Sequence, residues 1–442
     1  MVGAGDFRMI THASYEAMRQ WGNEAMRRKD LHCPTASLPH FISVPLSFLV
    51  AKYLDSVPFS GIIRIRDMMY SVERPFRLDQ GDVSFDAPES VKQALRKGID
   101  DNRSHYVQTT GIPPLLNLLA EKMRTKNGIP IGNAEEVMVT SGGIHGVYAA
   151  CQSILEPGDE VLMPDPEWPP APGNVLAAHA VPVPYPLHES CGWRPDIHEM
   201  RRLVTGKTRA IYVNSPNNPT GGVLTRHDLE AIADLAREHD LWVFSDEAYE
   251  DVLFDGNEHV SIASLPDMYE RTIPLYTFSK TYAMTGLRLA YMAVKDAKMR
   301  DRVRKVLFYT VSNTSSLIQY GGIGALEGSQ DFVDEYRREL EARRTLFYDG
   351  IHEAAHGRLS GAPPTGAFYA FLRVSPQWKS PLPDAPSSPS WAMAEFLIKR
   401  GRIGCVPGVD FGAVGEGHVR FCFARDRKEL QGALESMAEI LR

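Results

Sequence analysis

The sequence predicts an α/β protein: a three-layer α/β/α large domain around a mostly parallel sheet, joined to a smaller α+β domain. Two observations predict it. From about residue 90, short runs rich in Val, Ile, Tyr and Phe alternate with segments of helical period. Strands alternating with helices pair in parallel through right-handed crossovers. Near residue 330 the pattern changes to Pro- and Gly-rich segments with a few strands. The expected division is residues 91–330 for the large domain, residues 75–90 with 331–442 for the small one, and residues 1–74 as an N-terminal extension.

Within the extension, residues 15–29 read as a polar helix and 48–54 as a short apolar one. The first strand run covers 136–140, followed by Gly142-Gly143 and a helical stretch over 147–155. Runs at 160–163, 210–214, 241–245, 275–278 and 289–294 continue the series. The clearest helix is 226–239, where Leu229, Ile232, Ala233, Leu235 and Ala236 share a face. Thr225 before it and Asp228 three residues later form a variant capping box. Residues 331–356 read as one long helix closed by Gly357, and 366–374 and 418–423 as strands of the small domain. The five prolines within 375–390 mark a surface loop.

Composition narrows the function. Hydrophobic residues make up 43% and charged residues 23%, ordinary for a globular chain of 442 residues. Lys plus Arg is 48 against 55 for Asp plus Glu, a net charge of −7. That argues against a nucleic-acid binder working through a basic surface. No apolar run reaches the ~18 residues of a membrane span, and the first residues carry no apolar core of signal-peptide length. Cys33, Cys151, Cys191, Cys405 and Cys422 are scattered and odd in number, as expected of reduced thiols in a cytoplasmic protein.

Three motifs are set aside. Gly206-Lys207-Thr208 resembles the end of a P-loop, but Arg201 stands where the first glycine is needed. Gly322-Ile323-Gly324 is followed by Glu327 rather than a third glycine. His352-Glu353-Ala354-Ala355-His356 matches the zinc-protease string and would put both imidazoles on one helix face. No third ligand is apparent, and a histidine at a helix C-terminus is favoured by the macrodipole alone. No metal site is expected.

In a parallel sheet, ligands bind beyond the carboxyl ends of the strands. After the first run comes Ser141-Gly142-Gly143-Ile144, whose glycines and helix N-terminus form a phosphate cradle. After 211–214 comes Ser215-Pro216-Asn217-Asn218-Pro219-Thr220-Gly221; after 242–245, Asp246-Glu247-Ala248-Tyr249. After 275–278 comes Ser279-Lys280-Thr281-Tyr282-Ala283-Met284-Thr285-Gly286-Leu287-Arg288. Singly, each has a bland use: Asn218-Pro219 as a turn, Asp246 as a helix cap, Lys280 on the surface, Arg288 in an ion pair. Together they set an amide, a carboxylate, a phenol, an amine and a guanidinium at successive strand ends.

This constellation, with S-K-x-x-x-x-x-G-x-R, N-P-T-G and D-x-A-Y in combination, resembles the class I/II aminotransferases of the pyridoxal-phosphate enzymes, fold type I, an aspartate-aminotransferase-like fold. The resemblance covers residues 74–424. It implies that Lys280 forms a Schiff base with the aldehyde of pyridoxal 5'-phosphate and later moves the substrate proton. Asp246 pairs with the pyridine nitrogen, and Tyr249 and Asn218 donate to the cofactor phenolate. Trp168 stacks on the ring. Gly143, Ile144, Thr277, Ser279 and Arg288 hold the phosphate, with Tyr106 lent by the neighbouring subunit of a homodimer. Arg420 clamps the substrate α-carboxylate and Gly81 approaches the substrate through its backbone. Asp82-Val83 departs from a usual Pro-Asp pair, and Ala290 from a usual glycine.

The resemblance implies amino-group transfer from an L-amino acid to a 2-oxo acid. Elimination, cyclisation or decarboxylation would use the same residues, and a zinc hydrolase is the remote alternative. A regulator with a degenerate domain of this kind would need an N-terminal helix-turn-helix, and none is clear. Relatives that act on aspartate read its second carboxylate with a cation. Here residues 306–311 and position 144 supply none, which predicts neutral or aromatic donors unless Lys52, Arg64 or Arg66 enters the pocket.

Overall fold

The computed structural model describes Leu54, Asp55 and residues 57–442. The expected helices over 15–29 and 48–54, with Cys33 and Lys52, lie outside the described residues, apart from Leu54 at the end of the second.

Eight strands form the large sheet: β1 (Val137–Thr140), β2 (Glu160–Asp165), β3 (Val181–His188), β4 (Arg194–Pro195), β5 (Thr208–Asn214), β6 (Trp242–Asp246), β7 (Thr272–Thr277) and β8 (Ala290–Ala293). Their order is β1-β8-β7-β6-β5-β2-β3-β4. β8 runs antiparallel to both its neighbours and β4 antiparallel to β3; the other pairs are parallel. β1, β2, β5 and β6 are almost wholly buried along their length, as parallel strands covered on both faces must be.

Strand β3 was not foreseen, because its sequence is Val-Pro-Val-Pro-Tyr-Pro-Leu-His. Val181 donates its N–H to the Asp159 carbonyl on the inner side. The alternation of a strand turns Pro182, Pro184 and Pro186 toward the other side, where β4 pairs only with Leu187 and His188. Proline, lacking an N–H, is tolerated there. The other sheet edge is covered too: Val139 of β1 donates to the Thr110 carbonyl.

The helices follow their sequence signals. Arg226–Glu238 carries the full capping box between Thr225 and Asp228 and buries the five apolar residues expected. Asp331–Ala354 is a single helix of 24 residues. His356 lies beyond its end with φ +46°, so His352 and His356 do not share a helix face. No cluster of three metal-binding side chains exists among the described residues.

The smaller sheet is antiparallel: β9 (Leu359–Ser360), β10 (Tyr369–Val374), β11 (Val406–Pro407) and β12 (His418–Cys422), in the order β11-β12-β10-β9. Its core is continuous with that of the helices Asp331–Ala354, Pro389–Gly401 and Arg427–Ile440. The second of these helices cuts into the loop expected over 375–390: Pro389 already opens it, held by Ser388 as its N-cap. A further helix, Gly61–Tyr70, starts on Ser60, whose side chain accepts from the Ile62 N–H. It buries Ile65 and Met69 in this same core. Arg64 turns outward from it to Glu395 at 3.2 Å and over the Trp391 ring at 4.0 Å.

Candidate active site

The carboxyl ends of β5, β6 and β7 lie side by side because their registers align Asn214 with Asp246 and Asp246 with Leu275. A cavity of about 480 Å³ opens there. Gly81, Gly143, Ile144, Trp168, Asn218, Asp246, Tyr249, Thr277, Ser279, Lys280, Arg288 and Arg420 all line it. Of the expected site residues, Tyr106 alone is absent from its wall; it is 89% exposed.

Lys280 sits in a one-turn helix, Phe278–Thr281, whose N-cap Thr277 accepts from the Ser279 N–H. Its amine donates to the Gly81 carbonyl at 2.7 Å. The amine is lowered to about 8, first by burial and then by Arg420 and Arg288, against Asp82 and Cys422. The neutral, nucleophilic form is therefore far more populated near neutral pH than on an ordinary lysine.

Asp246 accepts from the Tyr212 hydroxyl at 2.8 Å and the Ala248 N–H at 3.1 Å. Burial raises its pKa, while these donors and Lys280 oppose the rise. Asn214 donates to the Asp246 carbonyl at 3.2 Å and accepts from the Asn218 N–H at 2.8 Å, fixing both strand ends. Tyr212 and Asn214 were missed in the sequence. Their spacing of two on one strand, which sets both on one face, was the available signal.

Arg420 is 2% exposed. It donates to the Asn218 side-chain oxygen at 2.9 Å and to the Asp79 carbonyl at 2.8 Å. Its Nε is buried without a partner. A buried guanidinium held by neutral acceptors is poised for an incoming anion. Arg288 lies against the Gly142 turn: a Cβ at Gly142, which has φ +85°, would stand 2.4 Å from its Nη2. The helix Gly143–Ile154 starts at that turn, so the N–H groups of Gly143 and Ile144 have no intrahelical acceptor. N–H groups, hydroxyls and a guanidinium thus converge as a phosphate site requires. Ile62 and Arg66 of the helix Gly61–Tyr70 also line the cavity.

The described geometry has counterparts. Residues 73–437 match the profile of the family Aminotransferase class I and II. The chain is 37% identical to aromatic-amino-acid aminotransferase 2 of Thermococcus litoralis, over 88% of this chain and 97% of that one. It is 36% identical to an aspartate aminotransferase of Pyrococcus abyssi, with the same coverage. A solved structure of the Thermus thermophilus aspartate aminotransferase with maleate superposes with a TM-score of 0.81 at 33% identity, covering 89% of this chain and 99% of that one.

Proposed function

Because the chain belongs to the class I and II aminotransferases and is a pyridoxal 5'-phosphate-dependent transaminase, we propose which residues serve that reaction, which amino acids it takes and how it assembles. The cavity fits the cofactor: a glycine turn that a Cβ would fill against the Arg288 guanidinium, a helix N-terminus opening from that turn, and a buried carboxylate in the field of the Lys280 amine. Bound pyridoxal 5'-phosphate supplies a carbonyl carbon for the amino group and a ring that takes up electrons from the substrate Cα. Lys280 anchors the cofactor and takes and returns the proton at the substrate Cα. Asp246 holds the proton on the pyridine nitrogen, with Tyr212 and the Ala248 N–H keeping the carboxylate aimed. Tyr249 and Asn218 donate to the ring oxygen, and Trp168 covers the ring face. Gly143, Ile144, Thr277, Ser279 and Arg288 hold the phosphate. Arg420 clamps the α-carboxylate and so orients the Cα–H bond. The observation that carries this reading is the Lys280 amine, lowered to about 8, in one cavity wall with Asp246 and Arg420.

The same reasoning extends to substrates. Ile62, Ile144, Val147 and Trp168 give the cavity an apolar side. Apart from Lys280, Arg288 and Arg420, Arg66 is the one cation among the described lining residues. Arg66 therefore meets the condition that reverses the expected preference: the site takes dicarboxylic donors and acceptors, with Arg66 reading their second carboxylate, alongside neutral and aromatic donors on its apolar side. A panel of L-amino acids with 2-oxoglutarate tests this. A specificity constant for aspartate below those for phenylalanine, tyrosine, leucine and methionine overturns the carboxylate reading by Arg66.

The assembly is a homodimer with Tyr106 lent to the partner's phosphate, supported by the exposure of Tyr106, Phe308 and Tyr309. The chain divides at residues 91–330 and 75–90 with 331–442, the helix Gly61–Tyr70 joining the smaller part through Ile65 and Met69. A cytoplasmic setting is supported by the four cysteines among the described residues, Cys151, Cys191, Cys405 and Cys422, all of which are free.

A further inference from the structure

Tyr369 was invisible in the sequence, yet it touches three of the groups assigned above. Its hydroxyl is 2.7 Å from that of Tyr249. Its ring lies under the Arg420 guanidinium at 4.5 Å. A Cβ at Gly81 would stand 2.4 Å from its hydroxyl, and Gly81 is the residue whose carbonyl accepts from Lys280. The side chain is 1% exposed and lines the cavity. The small sheet puts it there, because β10 and β12 pair Tyr369 with Cys422 and Phe371 with Arg420.

We propose that Tyr369 is a positioning residue that does two separable things: its hydroxyl donates to Tyr249, and its ring supports Arg420. The proposal rests on the role given to Tyr249. A phenol has one proton. If Tyr249 gives its proton to the cofactor ring oxygen, the 2.7 Å contact is left for Tyr369 to donate. A phenol that accepts while donating is the stronger donor, since chained hydrogen bonds polarise one another. The surroundings favour that direction: the Arg420 guanidinium lies over the Tyr369 ring at 4.5 Å, and a cation against a phenol makes it the readier donor. Gly81 is then explained: it leaves room for the Tyr369 hydroxyl, which any side chain there would push away.

The test is a pH titration of the visible absorbance of the holoenzyme, with steady-state kinetics, for wild type, Tyr249→Phe, Tyr369→Phe and Tyr369→Leu. Donation to the ring oxygen lowers the pH midpoint of the bound cofactor, so Tyr249→Phe raises it. Tyr369→Phe raises it in the same direction by a smaller amount, about half a unit, and leaves the KM for the amino acid within about twofold, since the ring remains. Tyr369→Leu adds a rise in KM of about tenfold. An unmoved midpoint in Tyr369→Phe, with Tyr249→Phe shifted, overturns the donation. An unmoved KM in Tyr369→Leu overturns the support of Arg420. An unmoved midpoint in Tyr249→Phe overturns the role of Tyr249 and the donation with it. A wild-type protein without any visible band fails the cofactor assignment instead.

Discussion

At the scale of single residues, the amine of Lys280 makes two measurable demands. Borohydride reduction of the holoenzyme fixes the cofactor to Lys280, and peptide mapping locates it; attachment to any other lysine contradicts the assignment. Because the amine is lowered to about 8, cofactor uptake by the apoenzyme speeds up with pH as the neutral form grows, then levels off above 8. A profile still climbing at pH 10 would mean an ordinary lysine. Arg66 makes a third demand: Arg66→Gln raises the KM for 2-oxoglutarate about tenfold, the worth of one charge-assisted contact, and leaves that for phenylalanine within about twofold. Equal changes for both substrates would remove Arg66 from carboxylate recognition. The residues read from sequence are those at strand ends, where a short local string carries both the fold and the chemistry. Tyr369 could not be read in this way: its partner Tyr249 is 120 residues away, and only the small sheet brings the two together.

Among elements, the helix Gly61–Tyr70 is set by its contact with Asp410. A Cβ at Gly61 would lie within the Asp410 carboxylate, and the Oδ2 of Asp410 is buried without a hydrogen bond. Burial pushes this carboxyl up to about 6 from an ordinary 3.8, with Trp391 and Arg64 opposing. A folded-state pKa above the unfolded one means stability that is full below pH 3.8 and lost as pH rises through 6. Asp410→Asn therefore melts later than wild type at pH 8, by about 1 kcal/mol after allowance for solvent screening, and the difference vanishes near pH 4. Thermal melts across that range check it; a variant less stable than wild type at pH 8 would show the charge to be favourable at the helix N-terminus. This helix was not legible, because its apolar face is short and lies in an otherwise unpatterned stretch. The prolines of β3 hid that strand for the opposite reason: proline speaks against a strand unless the edge position is already known. The capped helix Arg226–Glu238 was legible throughout, since its signals lie within its own residues.

For the whole molecule, the central question is what covers its exposed aromatics. Tyr106, Tyr309 and Phe308 are 89%, 83% and 52% exposed, and groups of large apolar side chains in water mark contact surfaces. Hybrid dimers of Lys280→Ala with Tyr106→Phe should recover activity beyond either parent, because one of the two sites regains both residues. A protein that runs as a monomer on sizing at micromolar concentration would contradict the shared site. The proline-lined margin of β3 bears on how copies can meet at all. Strand-to-strand stacking needs a free ladder of N–H groups along an open margin, and Pro182, Pro184 and Pro186 offer none, while Thr110 already occupies β1. Unlimited growth through the sheet, the route to fibrils, is thus closed at both margins, and association is left to side-chain surfaces that can end in a finite pair.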